Sequence, residues 1–205
     1  MGSRPVVKPI IQIILGLAVI GLSHSAASID KTSRQAFDQL LNEAGLRLDN
    51  RQNYSDIPIQ ANPVLSYEHA MLHASGALEL RFIVRPLNRI TIEYNDPHNA
   101  SPEPNHLFPL LFESITNRLS VGSDTPSSSF TESEAWTSFN ASWAAASVFD
   151  VRPEFADDYR NGLLIGMHRN DMADAYTVFL YNDHELAKPL IKEVISIMSF
   201  TPASN

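Results

Sequence analysis

The chain has no cysteine. That absence excludes disulfides, thiol nucleophiles, iron–sulfur clusters and cysteine zinc sites, and also the cysteine on which a lipoprotein leader places its lipid. Secreted eukaryotic domains of this size usually carry disulfides, so for an exported chain their lack favours a bacterial source and a core that suffices alone. Positive charge is scarce as well, with 15 Lys and Arg against 23 Asp and Glu. That balance argues against nucleic acid and anionic lipid as partners, because Lys and Arg supply the affinity for phosphate. The chain has no glycine-rich phosphate loop and no G-x-S-x-G nucleophile elbow. Its longest apolar stretch, Ile10 to Leu22, is about 13 residues, and a membrane-spanning helix needs about 20.

That stretch follows Arg4 and Lys8 and precedes Ser25-Ala26-Ala27. A positive start, a short apolar middle and small residues at the end predict a secretory signal peptide over residues 1–27, cleaved near Ala27. Cleavage removes two of the 15 cationic residues and none of the 23 acidic ones, leaving a mature net charge of −10. The expected location is periplasmic or secreted, with no stable membrane insertion after cleavage. Residues 28–205 are enough for one domain with a substantial core. Sequons at Asn53, Asn99 and Asn140 are at the level expected by chance in a chain rich in Asn, Ser and Thr.

Periodicity then orders the elements. Phe37, Leu40, Leu41, Ala44 and Leu48 fall on one helical face and predict a helix from Thr32 to Leu48, with Thr32 and Gln35 as a capping box. Asp49 to Pro63 reads as a connector. Alternation from Tyr67 to His73 and from Leu78 to Arg85, around Ala74-Ser75-Gly76, predicts a hairpin. Ile90, Ile92 and Tyr94 predict a third strand beside it. Leu107 to Leu119 reads as a helix, and Ser120 to Ser129 as a surface loop. Phe130 to Phe155 has no clean period and suggests a strand or two with a short helical turn. Leu163 to His168 and Ala175 to Leu180 predict two strands, and Glu185 to Met198 a final helix with Asp183 as its N-cap. The expected architecture is α+β, an antiparallel sheet covered by helices.

Few groupings of residues suggest chemistry. His69 and His73 have the spacing of helical zinc ligands. On a strand, however, such residues lie about 13 Å apart and cannot share an ion. They are read as solvent-facing or core-edge histidines, and no metal or other cofactor is expected. His98, His106 and His184 are scattered. His168, near Asp171 and Asp174, could form a small polar site at a hairpin tip, although a solvated turn is the preferred reading. No catalytic residue is assigned. The densest aromatic group is Trp136, Phe139, Trp143, Phe149, Phe155 and Tyr159. Such a group is core material first, but Trp and Tyr also mark interfaces and pockets. Trp136, Trp143, Tyr159 and His168 are the candidate ligand- or partner-binding residues.

The closing segment DAYTVFLYNDHELAKPLIKEVISIMSF combines an alternating strand, an acidic break and a helix ending in Ile-x-Met-Ser-Phe. It resembles the PsbP-like α/β/α sandwich superfamily. The resemblance implies a non-enzymatic domain, such as an adaptor or an extrinsic subunit, and carries over no functional residue. The sequence as a whole therefore suggests an exported bacterial binding domain for a protein partner or small ligand. The alternatives are a hydrolase assembled from distant residues, such as His168 with Asp171 or Asp174, and a structural subunit of an envelope complex.

Overall fold

In the computed structural model the described residues are 32–49, 52–89, 103–122 and 125–202. The expected leader 1–27, the third strand over Ile90–Tyr94, His98 and the Asn99 sequon lie outside them.

The frame is a seven-stranded antiparallel sheet in the order β2-β3-β4-β8-β7-β6-β5. Its strands are β2 (Tyr54–Asp56), β3 (His69–His73), β4 (Glu79–Pro86), β5 (Ser127–Ser129), β6 (Trp143–Asp150), β7 (Asn161–Arg169) and β8 (Ala173–Tyr181). The expected hairpin is β3–β4, in which Met71 pairs with Leu80. The other neighbour of β4 is β8. All nine residues of β8 are buried, as a central strand covered on both faces requires.

The two faces carry separate cores. One contains Phe82, Ile165 and Phe179 from the sheet with Phe37, Leu40, Phe139 and Val194 from helices. It is covered by α1 (residues 32–43), α3 (Glu132–Phe139), α4 (His184–Val194) and a two-stranded ribbon of β1 (Leu46–Leu48) and β9 (Met198–Phe200). The other contains Ile83, Leu164, Tyr176 and Val178 under Phe108 and Phe112 of α2 (Pro104–Leu119). The fold is thus the expected α+β sandwich, an antiparallel sheet between helical layers. At Gly166 an added Cβ would lie 2.6 Å from the Phe112 ring, so α2 sits this close only because β7 has no side chain there.

Several local expectations are corrected. The first helix stops at residue 43, and Leu46–Leu48 is strand β1, in which Leu46 pairs with Phe200. Gly45 makes the break at φ +64°, a left-handed conformation that glycine adopts without penalty and that ends helices. Leu48 is still buried, which is why its spacing looked helical. The last helix ends at Val194, and Met198-Ser199-Phe200 is a strand rather than a helix end. Asp183 is its N-cap as expected, accepting from the N–H groups of Glu185 and Leu186. The connector after Asp49 contains β2, and the loop 120–129 contains edge strand β5, whose serines pair with Ala145, Ala146 and Ser147. The segment 130–155 is an eight-residue helix, α3, followed by β6. Helix α3 opens with a capping box in which the Thr131 hydroxyl accepts from the Glu134 N–H and the Glu134 carboxylate accepts from the Thr131 N–H. α2 starts at Pro104, three residues earlier than its apolar face suggests, because proline is well suited to the first helical position.

Asn53 and Asn140 have φ of 66° and 52°. Asparagine tolerates this left-handed conformation better than most residues, and Asn140 caps α3 there, its Nδ2 donating to the Phe200 carbonyl at 3.3 Å.

Candidate functional site

A cleft of about 800 Å³ opens at one end of the sheet, between the first turns of α2 and α3, the Ala141–Ser142 connection and the β7–β8 turn. Three of the four residues singled out in the sequence line it: Trp136, Trp143 and His168. Each arrives from a different element. Trp136 is on α3, whose Ala135 and Phe139 are buried; its own side of the helix faces outward, leaving the indole 54% exposed. Trp143 opens β6 directly opposite His168 of β7.

The indole of Trp143 is half-buried and packs edge-on against Phe108, with centroids 4.8 Å apart. Phe108 also stacks on Tyr176 at 5.4 Å and lies 5.4 Å from the ring of His168. An aromatic wall anchored in the α2-side core thus runs into the cleft. Trp136 has a different support. The guanidinium of Arg169 lies over its ring, 5.5 Å from the centroid. Arg169 is itself held by an Nη1 donation to the Thr201 carbonyl at 2.7 Å. This is a cation–π contact that fixes the indole from behind.

His168 is not in a solvated turn. Only 2% of it is exposed, and Asp174 is equally buried. Its Nδ1 lies 2.6 Å from Asp174 Oδ1, and its Nε2 lies 3.1 Å from the amide oxygen of Asn170. The correction has a simple cause. Positions 168 and 174 face each other across the β7–β8 hairpin, under α2, and only the turn between them reaches solvent. Asp171 does not join the histidine. It occupies that turn at φ 61° and its side chain accepts from Asn105 Nδ2 at 2.9 Å, while its N–H donates to Asn105 Oδ1 at 3.0 Å. This reciprocal pair ties the start of α2 to the hairpin and so sets the width of the cleft. The Ser142 hydroxyl accepts from the Asn170 N–H at 3.3 Å. Asn170, not a hydroxyl, therefore stands in front of His168.

Tyr159 is elsewhere, in a smaller recess of about 100 Å³ with Glu79, Arg81 and Tyr67. Burial, reinforced by the Glu79 carboxylate, pushes its phenol well above the usual tyrosine range. Arg81 lies between the rings of Tyr67 and Phe155, at 4.9 and 4.8 Å, and donates to Glu79 at 2.6 Å and to the Phe155 carbonyl at 2.7 Å. Its charge is matched and its faces are covered, so the recess has the character of a packed ion pair. Of the six clustered aromatics, Phe139, Phe149 and Phe155 are core.

His69 and His73 lie on strand β3, as the strand reading required. His69 is 3% exposed, its Nε2 3.0 Å from Asp56 Oδ1, with Phe37 stacked on it at 4.5 Å. His106 and His184 are separate from it, His106 at the cleft rim and His184 beside Tyr181. Among the described residues no group of three or more His, Cys, Asp or Glu is placed to hold a metal ion, and no helix is long and apolar enough to cross a membrane. The sequence reading missed Phe108 and Asn170 in the lining of the cleft, and Arg169 as the support behind Trp136. Phe108 gives no local signal beyond its helical period, and the other two acquire their roles only when the hairpin meets α3.

No family model matches the chain, and no curated protein matches it. Among solved structures, the fold is similar to the solution structure of cyanobacterial PsbP (CyanoP) from Synechocystis sp. PCC 6803, with 13% identity over 77% of this chain and 88% of that chain and a TM-score of 0.43.

Proposed function

We propose that the domain is an exported, non-enzymatic binding module that takes a small ligand in the cleft between α2 and α3. The observation that carries this reading is that the only two tryptophans of the chain line one concave site. A concave, aromatic surface with a few placed polar groups is the usual form of a small-molecule site, and about 800 Å³ is within the usual range for one. A half-exposed tryptophan contributes binding area at little entropic cost, more so when a partner behind it fixes its orientation. Against a hydrolase stands the environment of His168. Both ring nitrogens have neighbours within hydrogen-bond distance, and neither neighbour is a nucleophile. The export half of the proposal rests on the leader pattern of residues 1–27.

Intrinsic fluorescence tests the cleft directly, since both emitters line it. The low-mass fraction of a periplasmic extract from the producing cell is expected to shift the emission saturably, and Trp136→Ala to remove the shift. An extract fraction that leaves the emission unchanged overturns the ligand reading. For export, mass spectrometry of the protein from the periplasmic fraction is expected to find an amino terminus near Ser28, and an intact terminus on cytosolic material would sink that half.

A further inference from the structure

Resting on that reading, we infer that the ligand of the cleft is a neutral saccharide, stacked by one pyranose ring on the open side of Trp136. The charges around the cleft exclude the main competitors. A phosphate or carboxylate ligand needs a cationic partner, yet among the described residues the lining of the cleft holds no Lys or Arg, and its one exposed histidine, His106, already has the Glu103 carboxylate 3.7 Å away. Glu132 does line it and would repel an anion. An organic cation would be drawn to an indole face, but the ring of Trp136 already holds the Arg169 guanidinium at 5.5 Å. A second cation on the same ring would meet that charge across it. A wholly apolar ligand would strip water from the amides and hydroxyls of the lining without replacing its hydrogen bonds, which is unfavourable.

What remains is an uncharged molecule with a flat apolar side and many hydroxyls. A pyranose has both features, since its C–H groups form the flat side and its hydroxyls the rim. The polar groups have complementary chemistry. Ser142 and Ser133 offer hydroxyls that donate and accept, and Asn170 offers an amide that does both. Asn170 is also positioned: its N–H donates to Ser142, and its side chain meets His168, which Asp174 fixes in turn. The buried Asp174–His168 pair thereby acts as a support for a polar contact at the floor of the cleft. The volume leaves room for a short oligosaccharide, with Trp143 and Phe108 as the inner wall.

The test titrates the full-length mature protein with N-acetylglucosamine, its β-1,4 dimer, cellobiose and maltose, and separately with choline and inorganic phosphate, following tryptophan emission and binding heat. At least one disaccharide is expected to saturate at millimolar or lower concentration, more tightly than its monosaccharide. Trp136→Ala is expected to weaken it about tenfold or more with an unchanged thermal midpoint. Choline or phosphate saturating while no saccharide does overturns the inference and leaves the binding-cleft reading standing. So does a Trp136→Ala variant that binds the saccharide as well as the parent. Silence of every saccharide overturns the inference as well. If the extract fraction is also silent, the binding-cleft reading fails with it, so the two failures are distinguishable.

Discussion

His168 and Asp174 meet at 2.6 Å, each almost fully enclosed, across the closed end of the β7–β8 hairpin. The carboxylate holds the imidazole against Phe108, whose ring in turn supports Trp143. Asp174→Ala leaves a buried ring nitrogen without its partner and is expected to cost about 1–3 kcal/mol, read as a lower urea midpoint. Asp171→Gly, three residues away in the exposed turn, gives up the solvent-accessible hydrogen bond to Asn105 but relieves a left-handed position, and the two effects are expected to offset to a loss of about 0.5 kcal/mol or less. Equal losses from the two would contradict the assignment of Asp174 as the partner.

Burial holds His69 below its ordinary value of 6.5, an effect that the nearby Asp56 opposes and Arg34 reinforces. Arg34 donates to both oxygens of Asp56 at 2.8 and 2.7 Å, and Asp38 lies on the other side of Arg34 at 3.1 Å. The folded state therefore takes up its proton at lower pH than the unfolded chain does. Stability from this group is complete above about 6.5 and declines as pH falls below it, levelling once the folded histidine protonates. Urea midpoints between pH 7.5 and 5 are expected to fall on the acid side. His69→Phe keeps the stack on Phe37 and is expected to flatten that part of the profile. An unchanged slope in the variant would assign the pH dependence to other groups.

Gly166→Ala places a methyl carbon 2.6 Å from the Phe112 ring and 3.1 Å from Tyr176. Because the ring belongs to α2 and its neighbours are core, relief requires moving the helix. A loss of about 1–3 kcal/mol is expected. Since Phe112 also contacts Trp143 at 6.1 Å, the emission spectrum should change with it. A stable variant with the parent spectrum would show that α2 yields more easily than its packing implies.

Thr131→Ala removes the hydroxyl that caps α3. Loss of such a cap costs about 1 kcal/mol. Because α3 is only eight residues long and carries Trp136, fraying at its start is expected to raise acrylamide quenching of that indole. Thr131→Ser should restore both stability and shielding. Quenching identical to the parent's would separate the cap from the cleft.

Where alternation or a helical face was uninterrupted, the sequence was readable. Leu163–His168 and Ala175–Leu180 lie within β7 and β8, and Leu107 to Leu119 lies within α2, but the helix buries Phe108, Phe112 and Leu119 and leaves Leu110 and Leu111 exposed, so its apolar face was misplaced. Errors fell where a short strand continues a neighbouring helical period. Leu48 sits at a helical spacing from Leu41 and Ala44, yet it is buried by pairing with Met198, a partner 150 residues away. Thr131-x-x-Glu134 was a legible start for α3, obscured by the serines around it. In the cleft, residue type alone marked Trp136, Trp143 and His168. Arg169 behind Trp136 and Asn170 before His168 could not be read, because both roles depend on the crossing of α3 and the hairpin.

The sheet has a strongly apolar middle and very short rims. Its outermost strands, β2 and β5, are three residues each, and β5 is three exposed serines. Free strand edges are the template on which chains add to one another and grow into fibrils. Here the apolar strands β7 and β8 are paired on both sides, and among the described residues the outermost strands are the short β2 and β5. Growth of the sheet by edge pairing thus has only a few backbone groups to start from on either rim.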